Sequence, residues 1–208
     1  PAEYMASVLS NNMNDIKNVT FFMGECKRMK LEVLGPDVNE SYYKFSVNKD
    51  NAIRFGMGAI KGVGASAVKA IVSERKLNGH YNSIFDLSQR VDLRAANKKA
   101  FDSLAAAGAF DSFKLFRSQY FHDNGDGITF IEKILRHGNK FQENKNSSQV
   151  SLFAGTNDLQ VSNPIIPDSE PWPTIEKLAK EKEVVGIYIS GHPLDDFKIE
   201  MESFCNGD

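Results

Sequence analysis

Long apolar runs are missing from these 208 residues. None approaches the roughly 18 residues that a membrane-spanning helix needs, so such a helix is excluded and no membrane partner is expected. Cysteine is nearly missing too. Cys26 and Cys205 lie far apart, and two such residues make neither a disulfide framework nor a zinc site by themselves. That usage suits a cytoplasmic protein. The opening Pro1-Ala2-Glu3 has no basic segment followed by an apolar one, so no signal peptide is expected. Without an initiator Met, it reads as a piece of a longer chain. His80, His122, His137 and His192 show no metal-ligand spacing. His192, between Gly191 and Pro193, suits a helix C-terminus better than catalysis.

What is present is ordinary in bulk. Hydrophobic residues make up 41% and charged residues 25%, which excludes wholesale disorder. The length allows one medium domain or two small ones. Lys and Arg number 25 against 27 Asp and Glu, a net charge of −2. That total conceals a basic block. From Arg54 to Lys99 nine basic residues face three acids, a local charge of +6. Residues 150–208 carry eleven acids against four lysines, so that end should avoid a nucleic-acid backbone. A basic block is the electrostatic footprint of phosphate binding. A solvated charged face would look the same by charge alone.

Periodicity predicts a mainly α fold with one small β-hairpin. Ile16, Val19, Met23, Cys26 and Met29 recur at steps of three and four, predicting helix through residues 3–30. Cys26 lies on that stripe and reads as a small core residue. Tyr43, Phe45 and Val47 alternate with polar neighbours, Asn48-Lys49-Asp50-Asn51 is a turn, and Ile53, Phe55 and Met57 alternate again: a β-hairpin. Val68, Ile71 and Val72 mark one helix. Phe101, Leu104 and Ala105 mark another that Gly108 stops. Residues 114–142 read as helical, broken by a turn at Asp123-Asn124-Gly125-Asp126-Gly127. That turn fails as a calcium loop because His122, Thr129 and Lys133 would occupy ligand or core positions. Residues 143–174 are polar, then rich in proline, with four of the seven prolines between Pro164 and Pro173. They read as an exposed linker. A last helix carrying Leu178 and Val185 should stop at Gly191-His192-Pro193.

The motif inside the basic block is Gly58-Ala59-Ile60-Lys61-Gly62-Val63-Gly64-Ala65-Ser66-Ala67-Val68-Lys69. Two glycines around one apolar residue let the chain turn sharply and let backbone N–H groups approach a phosphate oxygen. The helix that follows aims its unpaired N–H groups at the same place. Val63 can anchor the loop, Lys61 and Lys69 supply charge, and Ser66 supplies a hydroxyl. The spacing is neither a nucleoside-triphosphate loop nor a dinucleotide fingerprint. A tight helix–helix turn is the alternative. A weaker copy runs from Asn97-Lys98-Lys99 to Gly108-Ala109-Phe110-Asp111. Phe110 replaces its second glycine, so this copy should be mainly structural, with Lys98 and Lys99 as its contacts.

These residues resemble a known family. The run Arg54-Phe55-Gly56-Met57-Gly58-Ala59-Ile60-Lys61-Gly62-Val63-Gly64 and the run Leu104-Ala105-Ala106-Ala107-Gly108-Ala109-Phe110-Asp111 are similar to the tandem helix-hairpin-helix region of the alpha subunit of bacterial replicative DNA polymerase III. Glu3-Tyr4-Met5-Ala6-Ser7-Val8-Leu9 and Glu25-Cys26-Lys27-Arg28-Met29 resemble the end of its fingers. Gly186-Ile187-Tyr188-Ile189-Ser190-Gly191-His192-Pro193-Leu194 resembles the segment before its oligonucleotide-binding barrel. The resemblance implies a fingers-like region over 1–57, a tandem helix-hairpin-helix domain over 58–142, a linker with a clamp-binding peptide over 143–174, and a helical segment over 175–208.

It also implies double-stranded DNA as partner, through Lys61, Gly62, Val63, Gly64, Ser66, Lys69, Lys98 and Lys99. A sliding clamp is the second partner, through Gln149, Ser151, Leu152 and Phe153, with other replicase subunits reached through the parent chain. Gln149 offers an amide, and Leu152-Phe153 is an adjacent apolar pair suited to a groove. Alternatively that pair pins the loop to this protein's own core. The palm carboxylates and the Mg2+ they would hold belong upstream, so no catalytic or metal-binding residue and no cofactor is expected here. The alternative function is a stand-alone helix-hairpin-helix protein of DNA repair. A calcium-responsive interaction module is a third class.

Overall fold

The computed structural model describes residues 1–148 and 162–194. Among them the fold is mainly helical with a small sheet. Helix α1 spans Ala2–Asn11 and α2 spans Ile16–Arg28. The single helix expected over 3–30 is therefore two. Asp15 is the reason: its carboxylate accepts the N–H groups of Lys17 and Asn18 at 3.0 and 3.3 Å, an N-cap that starts a new helix. Val19 and Cys26 of the expected stripe are buried, whereas Ile16 and Met29 are exposed. Burial pushes the Cys26 thiol pKa up, consistent with a core residue.

The hairpin forms, but with company. Strand β2 (Ser46–Val47) pairs antiparallel with β3 (Ile53–Arg54), in the register Val47 opposite Ile53. Asn48 closes the turn by accepting the Asp50 and Ala52 N–H groups, both at 3.0 Å. On its other side β3 pairs in parallel with β1, Val33–Leu34. Two residues do not make a periodic pattern, so this strand left no signal in the sequence. Phe45, Ile53, Phe55 and Met57 go into the core.

A 3₁₀ turn at Met57–Ala59 leads into the glycine motif, and α3 (Ala65–Asn78) follows it. Then come α4 (Ile84–Arg90), α5 (Lys98–Ala106), α6 (Arg117–Phe121) and α7 (Phe130–Ser148). The last runs into the stretch expected to be linker, so 143–148 is helical. The break before α7 is the expected turn. Asp123 and Asp126 accept the Gly125 and Ile128 N–H groups at 2.5 and 3.1 Å, and Asp126 pairs with Lys133 at 2.9 Å. Helix α8 spans Thr174–Val185. It stops at Gly186, whose φ is +86°, rather than at Gly191. One apolar core runs from Ala2 through Phe101, Phe110 and Phe130 to Ile187.

Candidate nucleic-acid interface

The first hairpin is built from below. Ile60 and Val63 are buried, and the Val63 N–H donates to the Ile60 carbonyl at 3.1 Å. Gly62 between them has φ +90°, which an L side chain rarely tolerates. Its Cα faces α5. A Cβ there would come within 2.7 Å of the Ser103 Oγ and 3.4 Å of the Lys99 Cε. The glycine thus lets the hairpin sit directly on the second motif. The Lys61 N–H is spent on the fold, donating to the Val184 carbonyl at 2.8 Å.

Gly64 differs. It is the N-cap of α3, with φ −77° and ψ 158°, an ordinary extended conformation. A Cβ would meet only the Ser66 Oγ at 3.8 Å. Neither backbone strain nor crowding demands glycine here. No side chain caps α3, and the Val68 N–H, donating to the Gly64 carbonyl at 3.1 Å, closes its first helical turn. The earlier amides of α3 therefore have no helical acceptor, and Gly64, Ala65 and Ser66 are exposed. Lys61, Ser66, Lys69 and Lys99 are all exposed around this point. Among the described residues, no carboxylate lies within 4 Å of any of these three lysines.

The second motif is sealed. Gly108 has φ +85°, and a Cβ there would overlap the Arg117 guanidinium. Phe110 is fully buried. Arg117 donates to the Ala106 carbonyl at 3.1 Å, to Asp111 at 2.7–3.2 Å and to Glu181 of α8 at 2.9 Å. Glu181, 1% exposed, also accepts the Ile189 and Ser190 N–H groups at 2.5 and 2.9 Å and the Ser190 hydroxyl at 2.7 Å. Burial pushes its pKa up, but those amides, the hydroxyl and Arg117 outweigh burial and hold it below the ordinary value. Where a second phosphate loop would open, the molecule has a filled ion-pair network. Lys98 is drawn toward Asp102 and Glu132, at 3.3 and 3.9 Å. Burial raises the Asp102 carboxyl, and Lys98 opposes that rise.

Helix α8 was missed as part of this site. It holds the first hairpin through Val184 and the second through Glu181, one turn apart. One of three glutamates in a helix of mixed charge gives no signal of a partner 64 residues away. Gln149, Ser151, Leu152 and Phe153, expected to bind a clamp, lie outside the described residues.

A hairpin of two glycines leading into a helix N-terminus, backed by a second helix and ringed by lysines, is the arrangement of a helix-hairpin-helix motif. Residues 30–120 match the helix-hairpin-helix motif family. Over 99–100% of its length the chain is also similar to the DNA polymerase III subunit alpha of several bacteria. It is 32% identical to those of Vibrio cholerae and Escherichia coli, and 35% to that of Neisseria meningitidis. The resemblance in the sequence is thereby borne out: this chain is similar along its whole length to a segment of the DNA polymerase III alpha subunit. It spans 17% of the length of those relatives.

Proposed function

We propose that this chain is a non-catalytic segment of a cytoplasmic replicative DNA polymerase alpha subunit and grips duplex DNA without sequence preference. The contact is one hairpin. The amides of Gly64, Ala65 and Ser66 meet a phosphate, with Lys61, Lys69 and Lys99 around it and the Ser66 hydroxyl as a further donor. Val63 and Gly62 hold the loop rather than touch DNA, and Lys98 contributes less than Lys99 because it has carboxylate neighbours. Residues 149–153 tether the parent polymerase to its sliding clamp. Among the described residues no three or more His, Cys, Asp or Glu are placed to hold a metal ion. No described helix is long and apolar enough to cross a membrane.

The observation that carries the DNA reading is Gly64. Its conformation and surroundings would accept alanine, so what its missing side chain provides is room on the outer side, beside open amides. Gly64→Ala should therefore fold, at a cost of no more than about 1 kcal/mol. Duplex affinity should nonetheless drop about 10- to 150-fold, the loss of a hydrogen bond to a charged group. With about three phosphates neutralised by lysine, log K should fall with log salt at a slope of roughly −2.7. Unchanged binding by Gly64→Ala, or binding indifferent to salt, refutes the assignment.

A further inference from the structure

The exposed face of α3 does not end at the hairpin. Ser66, Lys69, Ser73 and Lys76 are all exposed, and their spacings of three, four and three place them on one helix face. That face alternates hydroxyl and cation over most of the helix. The acid of α3, Glu74, is turned to Arg90 at 3.0 Å. The far end of the row reaches Tyr42. The Lys76 Nζ lies 5.5 Å from the centre of the Tyr42 ring, and the Arg75 Cζ lies 5.1 Å from it.

Tyr42 and Tyr43 are 43% and 38% exposed, although both are held firmly. The Met57 and Gly58 N–H groups donate to their carbonyls at 2.8 and 2.9 Å. The Tyr43 ring lies over Gly58, where a Cβ would come within 2.6 Å of it. Its inner side thus rests on backbone that glycine leaves bare, and its outer side meets solvent. Lys44, next in the chain, is exposed, and nearby Glu40 is engaged by Arg54. Fixed aromatic rings at the end of a cationic track are the elements of a single-strand site: the cations follow the backbone and the rings take bases by stacking.

We propose that α3 and the Tyr42-Tyr43-Lys44 loop form a second nucleic-acid contact, which takes a single strand continuing from the duplex held at the hairpin. The proposal rests on the duplex reading of that hairpin and adds a ligand class to it. Phosphates run along Lys69, Ser73 and Lys76, and one or two bases stack on the tyrosines.

The test compares the 208-residue chain on a blunt duplex and on the same duplex carrying a single-stranded tail of about ten nucleotides. Fluorescence anisotropy gives both affinities. The tail should strengthen wild-type binding about 5- to 100-fold. Replacing both Tyr42 and Tyr43 by Leu should abolish that advantage and leave blunt-duplex binding unchanged, whereas Phe at both positions should keep it. Lys76→Gln, a surface change that cannot disturb the core, should reduce the salt slope on tailed DNA by about 0.7 and leave the blunt slope alone. Equal wild-type affinity for the two DNAs overturns the proposal and leaves the hairpin reading standing. So does an equal loss on both DNAs in the Leu variant. Failure of the wild type to bind either DNA overturns the hairpin reading as well.

Discussion

Replacing Glu181 by Gln changes one atom type at the best-buried ionic site of the molecule. The carboxylate holds four donors: Arg117, two backbone amides and the Ser190 hydroxyl, all within 2.9 Å. An amide keeps one acceptor oxygen and turns an NH2 group toward donors. It also leaves the Arg117 guanidinium, 7% exposed, with only Asp111 and the Ala106 carbonyl. Removing one partner of a buried pair costs about 3–5 kcal/mol, because the remaining charge stays desolvated. For a chain of this size that is a drop in Tm of about 6–20 °C. The pH dependence has a fixed sign. The folded-state pKa of Glu181 lies below its ordinary value of 4.5. Its stabilisation is therefore complete above that value and disappears as pH falls through the lower, folded value. Denaturant titrations from pH 7 to pH 3 should show the wild type losing stability below about pH 4.5. The Gln variant should be less stable at pH 7 and flatter over the acid range. Leu at 181 with Met at 117 should recover only part of the loss, since the Ile189 and Ser190 amides would still lack an acceptor. A Gln variant within about 0.5 kcal/mol of wild type at pH 7 would refute the reasoning.

Two glycines share a positive φ but differ in what surrounds them. Gly79 and Gly108 have φ of +81° and +85°, but a Cβ at Gly79 meets nothing, and at Gly108 it meets the Arg117 guanidinium. With ψ −176° Gly79 carries backbone strain alone, so Gly79→Ala should cost about 1–3 kcal/mol; Gly108→Ala adds the overlap with Arg117 and should cost at least about 3 kcal/mol, and a smaller cost in denaturant titration would count against the sealed second hairpin. If residues 149–153 are the clamp peptide proposed above, Ala at both Leu152 and Phe153 should weaken clamp binding about 30- to 1,000-fold with Tm unchanged. A large fall in Tm with clamp affinity intact would instead place that pair in the protein's own core.

How much of this could be read from the chain depended on distance along it. The glycine hairpin, the helix it opens, the buried faces of α3 and α5 and the β2–β3 turn were all readable, because each is a local pattern of period, turn residue or cap. The split at Asp15 was readable too, since an acid two residues before Lys17 is an N-cap signal; the apolar stripe running through it masked the break. Strand β1 and the role of α8 were not readable. Val33–Leu34 is too short to alternate, and Glu181 meets Arg117 only through the tertiary fold. The structural difference between Gly62 and Gly64 was equally invisible. In sequence they are twins, but one is required by φ +90° and the other by nothing inside the protein.

The basic block shows why a charge count misleads and how it can be refined. Three of its four arginines are consumed by the fold. Arg54 bonds the Gly35 carbonyl at 2.8 Å and pairs with Glu40. Arg75 is buried against the Val38 carbonyl at 2.5 Å. Arg90 joins Glu74 and Asp86, both at 3.0 Å, and lies 4.6 Å from the centre of the Tyr81 ring. Of the five lysines only Lys98 has carboxylate neighbours among the described residues. This division follows from the side chains. A guanidinium is weakly hydrated and presents a planar fork that can satisfy several acceptors at once, so it serves as an internal clamp. An ammonium is strongly hydrated and stays in water unless something replaces its shell. Counting lysines alone in such a block therefore estimates the charge left for a ligand better than net charge does. Here it leaves Lys61, Lys69, Lys76 and Lys99, with Arg94 the one exposed arginine, and it is these groups that a phosphate backbone would meet.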